Sequence, residues 1–478
     1  MHPGTTRPAS RCTCWACWPA PSPCLACNRV EERSPMPERG YLSWFEIIRL
    51  GLVQSALGAI VVLTTSTLNR VMVVELALPA MLPGALVALH YVVQLSRPRW
   101  GHGSDMGGAR TPWIIGGMAV LAAGGVLAAI ATALAAANTW AGVALAVLAF
   151  LLIGAGVGAS GTSLLALLAT DVAPQRRAPA ASITWIMMIM GFAVTAGTAG
   201  AFLDPFTLTR LVAVTAAVCA IAFLLCTAAV WGVERAGHGA RAAAAASGGR
   251  LSFNDAINAV WAEPRARRFT IFVFVAMLAY STQDLILEPF TGQVFGMSVG
   301  ESTQLAGMQH GGVLLGMIAV AILGARLSGS AFGRRQHWVV GGCVASSLAL
   351  AAIAAASLAG PGWPLAPTIF LLGVANGGFA VAAIGAMMGL AGADGPGKEG
   401  VRVGLWGAAQ AIAFAVGGFL GAAAIDLTRA LFDDVSLAFA LVFAAEAVLF
   451  LLAARLALDV EDADPLPQQA AELAGGSS

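Results

Sequence analysis

The sequence predicts an all-α integral membrane protein of about twelve transmembrane helices in two six-helix halves, and three observations predict it. The chain of 478 residues is 58% hydrophobic and 11% charged, where a soluble globular chain carries about 25% charged residues. Most of its surface must therefore meet lipid, in line with a mean hydropathy of +0.80. Apolar runs near the roughly 20 residues that cross a bilayer recur along the chain. The basic residues between those runs fall almost wholly on one side of the membrane.

Taken in order, residues 1–35 stand apart. They hold Cys12, Cys14, Cys17, Cys24 and Cys27, are rich in Pro and Arg, and show neither a helical period nor a signal-peptide core. Paired cysteines can supply metal thiolates. The compositional break before Met36 favours a mis-assigned start instead, or a disordered leader, with Met36 as the true start.

The N-terminal half, 36–232, holds expected spans at 44–68, 79–96, 112–136, 140–169, 180–203 and 208–232. Segment 233–267 is the longest internal polar stretch and divides the halves. It contains HGARAAAAASGGR, then Leu251, Phe253, Ile257, Val260 and Trp261 near helical spacing with basic residues following, which reads as an amphipathic helix on the cytoplasmic membrane surface. The C-terminal half, 268–457, holds spans at 268–288, 301–324, 337–358, 365–391, 403–427 and 435–457. Residues 458–478 read as a disordered cytoplasmic tail.

With the N-terminus in the cytoplasm, 19 of the Lys and Arg residues after Met36 face the cytoplasm and 3 (Arg70, Arg210, Arg429) face away. A miscounted span would scramble that asymmetry, so it supports both the count and the orientation, with both termini cytoplasmic. Net charge is +1, which argues against a nucleic-acid partner. Asp residues are scattered, without the Asp-rich clusters that hold Mg²⁺-diphosphate in a prenyl transferase, so no enzyme, catalytic cofactor or metal centre is expected.

The loop GHGSDMGGAR, 101–110, carries Gly101, Asp105, Gly108 and Arg110. It resembles the loop motif of the major facilitator superfamily, G-x-x-x-D-(R/K)-x-G-R-(R/K), departing from it at Met106 and Ala109. GARLSGSAFGRR occupies the corresponding place in the second half, keeping Gly324, Gly333, Arg334 and Arg335 but not the acid. The rival reading, a phosphate cradle, needs a preceding strand, and a membrane span precedes this loop. As a gating loop its glycines would make a tight turn and its carboxylate would pair with Arg or a helix N-terminus. A stable turn is the plainer alternative.

Polar residues inside the spans mark candidate sites, because such groups usually face the bundle interior. Asp284 and Glu288 share a helical face with Gln283 beside them, and Pro289 is expected to stop that helix. Span one ends on Asn69, Arg70 and Glu75. Two six-span halves make spans one and seven partners, so Arg70 is expected to face Asp284 or Glu288 as a polar lock in a periplasmic cleft. The alternative is that each charge snorkels to the interface. Gln54, Asn376, Gln410, Asp426 and Glu446 are further buried polar positions. GAGVGASGTS at 154–163 has small residues at close-packing spacing, and the MMIM run at 187–190 reads as core or lipid-facing.

LNRVMVVEL (68–76), QDLILEPFTGQVFGMS (283–298) and ARTPWIIGGMAV (109–120) resemble the signature stretches of the PucC/LhaA family, the bacteriochlorophyll-delivery branch of the major facilitator superfamily. The resemblance covers essentially 40–457. It implies the inner (intracytoplasmic) membrane of a photosynthetic bacterium and a role in assembling light-harvesting antenna polypeptides with bacteriochlorophyll as cargo. Some relatives carry the label of a bacteriochlorophyll synthase subunit, which makes that enzyme a further partner. A pigment Mg²⁺ takes one axial protein ligand, and His90 and His310 are the histidines inside spans. Gly311 and Gly312 beside His310 are expected to leave room for a flat ring. A hydrogen-bonded core histidine is the plainer reading of each. The rival functions are a proton-coupled transporter of a small solute and an accessory subunit of the synthase.

Overall fold

A computed structural model describes residues 41–97, 109–234, 261–327, 335–392 and 399–461. The leader, the motif residues Gly101, Asp105 and Gly108, most of the expected amphipathic helix, Gly333 and Arg334, and nearly all of the tail lie outside the described residues.

Twelve principal helices run in alternating directions among the described residues. They are α1 (Trp44–Glu75), α2 (Met81–Gln94), α3 (Thr111–Ala137), α4 (Thr139–Asp171), α5 (Arg177–Leu203), α6 (Leu208–Val230), α7 (Pro264–Phe295), α8 (Val299–Arg326), α9 (Arg335–Ala359), α10 (Leu365–Gly392), α11 (Glu399–Phe432) and α12 (Val435–Glu461). Each expected span coincides with one helix. Eleven are long and apolar enough to cross a membrane. The exception, α2, has 14 residues, about 21 Å of helix.

Local chemistry sets the ends. Ser43 and Glu46 form a capping box that starts α1, and Ser298 and Glu301 do the same for α8. Asn138 alone joins α3 to α4, with its side chain accepting from the Ala141 amide. Gly296 ends α7 in the left-handed conformation at φ 68°, which costs glycine nothing.

Helix packing in the first half recurs in the second with every number raised by six. The pairs α1–α5, α1–α6, α2–α4, α3–α4 and α3–α6 have their images in α7–α11, α7–α12, α8–α10, α9–α10 and α9–α12. The halves meet along α2–α11 and α5–α8, which exchange under the same operation. Each half has its own apolar core. The first is mostly aliphatic, whereas Phe290, Phe439 and Phe443 cluster in the second, with ring centroids 5.1–6.2 Å apart. Small residues permit the closest approaches, as the GAGVGASGTS stretch suggests. A side chain on Gly154 would strike the His90 carbonyl and Val93 of α2, and one on Gly156 would strike Leu121 of α3.

α1 and α7 overrun their expected ends by seven residues each, 75 against 68 and 295 against 288. α1 continues past residue 68 through π-helical turns at Leu63–Thr67 and Val71–Glu75. Where the ladder changes register, Thr64 and Thr65 return their hydroxyls to the Ile60 and Val61 carbonyls. π-turns of this kind concentrate at functional sites. The expectation that Pro289 stops α7 is corrected: Pro289 lies inside a helix that runs on to Phe295. Membrane helices tolerate proline when a neighbour satisfies the carbonyl it leaves bare.

Candidate functional site

That neighbour is Asn69. Proline has no N–H, so Pro289 cannot donate to the carbonyl four residues back, at Leu285. Asn69 Nδ2 of α1 donates to that oxygen at 2.5 Å. The proline of one half and the asparagine of the other thus form one unit. Asn69→Ala is expected to cost about 1–3 kcal/mol, the penalty of a bare buried acceptor. Adding Pro289→Ala restores an N–H for Leu285, so the double variant should melt in detergent above Asn69→Ala alone. Simple additivity of the two losses would show that the residues do not share that carbonyl.

One turn along, Glu288 sits 2% exposed between three helices. Ser66 Oγ of α1 donates to its Oε1 at 2.6 Å, and Thr303 Oγ1 of α8 approaches Oε2 at 3.4 Å. Thr67 and Thr303 hydroxyls lie 3.3 Å apart. Asp284 and Glu288 open onto a small cavity walled also by Ser66, Thr291, Ser302 and Gln309. Its free space is about 10 Å³, room for roughly one water molecule, so a tetrapyrrole does not enter it. Gln283 is fully buried, and its amide has no hydrogen-bond partner among the described residues.

The expected ion pair across the halves is replaced by a local one. Arg70 Nη1 binds Glu75 Oε1 at 2.7 Å and Nη2 donates to the Met297 carbonyl at 2.6 Å. The π-turn after Arg70 carries Glu75 back beside it, so Arg70 meets that acid instead of Asp284 or Glu288; Glu288 stays within its electrostatic range. Arg70 itself is 1% exposed, so it does not snorkel.

At the same end of the bundle the halves are joined by two matching carboxylates. Asp426 of α11 accepts from the Ala80 and Met81 amides, at 3.0 and 2.8 Å, where α2 begins. Asp204, just past α5, accepts from Ser298 Oγ at 2.6 Å and the Gly300 amide at 3.2 Å, where α8 begins. Since α2 and α8 exchange under the pseudo-two-fold, as do α11 and α5, these are one contact made twice. Acids favour helix N-termini, each by about 0.3–1 kcal/mol. Together with the Arg70 network they close this end.

The two histidines differ. His90 has both ring nitrogens engaged: Nδ1 lies 3.2 Å from the Val87 carbonyl and Nε2 2.8 Å from Gln94 Nε2. Arg97 donates to Gln94 Oε1. One arrangement satisfies all three contacts, a neutral ring with its proton on Nδ1. His310 lies at the α5–α8 seam with its ring edge-on to Phe192 and Nδ1 without a partner. The space expected at Gly312 is taken by the Phe370 carbonyl of α10, while Gly311 faces open space.

Other polar residues are structural by contact. Gln54 donates to Met188 Sδ, and Gln410 to Met277 Sδ, at 3.4 and 3.7 Å. The same helix pair carries a Gln–Met contact in each half, with the two residues exchanged between the helices, and Met188 of the MMIM run is half-buried there. Asn376 accepts from Ser346 at 2.8 Å. Glu446 is 1% exposed, with neither oxygen partnered among the described residues. Arg110, the described end of the loop motif, donates to Ala166 O and Thr170 Oγ1 of α4, at 2.7 and 2.6 Å. The amides of Arg110 and Thr111 donate to Glu234, which sequence reasoning missed. Asp204 and Ser66 were missed as well, because a short loop acid and a span serine carry no signal until the helices are assembled. Among the described residues no group of three or more His, Cys, Asp or Glu gathers to hold a metal.

Two six-helix halves, a pseudo-two-fold and a polar cavity between them define a membrane protein of the major facilitator type. The fold matches the nucleoside transporter NupG with a TM-score of 0.62 at 14% identity, over 88% of this chain and 100% of that one. It matches a D-xylose-proton symporter with a TM-score of 0.64 at 13% identity, over 85% and 97%. At such identities the likeness concerns fold alone. The profile described as PUCC protein matches residues 67–464, and the chain belongs to that family. It is 54% identical over 429 residues to the "Bacteriochlorophyll synthase 44.5 kDa chain" of Rhodobacter capsulatus, covering 88% of this chain and 96% of that protein. It is 30% identical over 385 residues to "Protein PucC" of Rhodobacter capsulatus, covering 78% and 81%.

Proposed function

We propose that the protein is an assembly factor for light-harvesting complexes, which binds bacteriochlorophyll as cargo and delivers it to antenna polypeptides without a catalytic step or a catalytic cofactor. It works in the inner (intracytoplasmic) membrane of a photosynthetic bacterium with both termini in the cytoplasm, in contact with lipid and with bacteriochlorophyll synthase. The observation that carries this reading is the similarity along nearly the whole length of a relative named for bacteriochlorophyll synthase. The cavity is too small for the pigment, so the cargo engages the flank of the bundle. Of the two histidines only His310 keeps a ring nitrogen without a partner among the described residues; it is 2% exposed at the α5–α8 seam, so it ligates the pigment only where that seam parts.

The test is a near-infrared spectrum of protein purified in mild detergent from a pigment-making host. A bacteriochlorophyll band is expected, lost in His310→Leu and kept in His90→Leu. A pigment-free protein from that host, together with unchanged antenna levels in a deletion strain, overturns the reading. Phytylation by the purified chain is expected to be nil. A second reading, a proton-coupled transporter of a small solute, is favoured by the two carboxylates in the cavity; solute-dependent uptake into vesicles supports it.

A further inference from the structure

The core of the second half holds three buried polar side chains amid its phenylalanines. Gln283 of α7, Asn376 of α10 and Glu446 of α12 are each no more than 1% exposed. Both amide atoms of Gln283, Nδ2 of Asn376 and both carboxyl oxygens of Glu446 have no hydrogen-bond partner among the described residues. Contacts around them set all three at one level. Phe290 packs against Phe439 and Phe443, with ring centroids 5.4 and 5.1 Å apart. Gln283 lies two turns before Phe290 on the same face of α7, and Glu446 one turn beyond Phe443 on the antiparallel α12. Phe379 and Phe450 meet at 6.2 Å, and Asn376 and Glu446 each stand one turn before them, on α10 and α12. Between those helices α9 supplies two hydroxyls. Ser346 donates to Asn376 Oδ1 and Ser347 to the Ala447 carbonyl, both at 2.8 Å.

An ionised carboxylate without a partner in such a core is so costly that the group takes up a proton instead. The surrounding helices bring no charge to offset it. On α7, Asp284 and Glu288 turn to the cavity between the halves. On α11, Asp426 caps α2 and Arg429 reaches Gln293. On α12, Arg455 pairs with Asp459 at the exposed end. α9 adds the buried thiol of Cys343, with Arg335 and His337 in its first turn, and α10 has no ionisable residue. A neutral carboxyl both donates and accepts, whereas the Gln283 and Asn376 amides bring N–H donors and, at Gln283, a bare carbonyl. Water, with two donors and two acceptors, is the ligand that satisfies such a set, and buried waters typically hold about three such bonds.

We propose that Gln283, Asn376 and Glu446 form a closed hydrated site inside the second half, in which Glu446 is a neutral acid and bound water links its carboxyl to the two amides. The site ties α7, α10 and α12 together within one half. It stands apart from the cavity between the halves and from any pigment-binding flank.

The experiment compares chemical unfolding of the full-length protein and of Glu446→Gln in detergent, from mildly acidic to mildly alkaline pH. A proton held by the folded protein and lost from the unfolded chain makes stability fall as pH rises. Wild type is therefore expected to lose stability relative to Glu446→Gln above the ordinary carboxylate range, by about tenfold in the unfolding equilibrium per pH unit. Glu446→Leu, which also lacks the proton, should give the same slope, so the test survives if one variant fails to fold. A difference that does not change with pH overturns the neutral acid. The shared water is read from a double-mutant cycle of Gln283→Leu and Glu446→Leu. Each single change strands the polar atoms of the other residue, so the double variant should unfold about tenfold less readily than the two losses combined would give. Additive losses overturn the shared site. Size-exclusion profiles establish that each variant is folded. Pigment content read on the same samples keeps this site distinct from the pigment reading, since neither result depends on the other.

Discussion

Glu75→Leu is expected to destabilise the protein by about 3–5 kcal/mol, the cost of stranding a buried charge without its partner. The acid is not itself the source of that cost, because its side chain is 36% exposed and can be hydrated. The cost lies with Arg70, which is 1% exposed and keeps only the Met297 carbonyl once Glu75 is gone. Adding Arg70→Met should therefore recover much of the loss, since an apolar side chain of similar length asks for no partner. Chemical unfolding of the two single variants and the double variant in detergent measures the coupling. A loss under about 1 kcal/mol for Glu75→Leu would mean that Arg70 re-pairs, with Glu288 the acid in range.

Gly373→Leu is expected to cost about 3 kcal/mol or more, at the upper end of overpacking. α8 and α10 approach through paired glycines. A side chain on Gly312 or Gly316 of α8 would enter the backbone of α10 at Phe370 and Val374, and one on Gly373 or Gly377 of α10 would enter α8 at Gln309 and Val313. Backbone cannot step aside as a flexible side chain does, so the helices must separate. Gly311→Leu is the control: nothing lies within 4 Å of a side chain there, and the change should stay within about 0.5 kcal/mol. Equal losses at the two positions would show that the close approach is not what holds this pair. Gly373 also backs onto Gln309, so loosening it should disturb the cavity.

The same segments show where sequence reasoning succeeded and where it stopped. Asp284, Glu288, Asn69 and Arg70 were found because a polar group among apolar neighbours is conspicuous at any depth, and they do meet where α1 crosses α7. Their partners were not legible. Arg70 was assigned across the halves, yet a π-turn brings Glu75 to it, and π-turns leave little trace in composition. Pro289 reads as a stop because proline removes a donor and clashes with the preceding turn. Whether it ends a helix depends on what stands opposite the bare carbonyl, and here that is a side chain some two hundred residues away in the chain. His90 and His310 look alike as lone histidines in apolar runs, and only the neighbours separate them.

The sequence alone determined how many principal helices the chain forms, where each lies, and how the basic residues are distributed between them. Those properties depend on the length and apolarity of runs and on nearby charge, which are local along the chain. Tertiary structure alone decided which acid neutralises Arg70, that Asn69 serves Pro289, that Asp204 and Asp426 make the same latch twice, and that Ser66 turns Glu288 into a junction of both halves. Each of these is a contact between helices far apart in sequence. Hydrogen bonds need directed groups within about 3 Å, and only the packed bundle sets those distances.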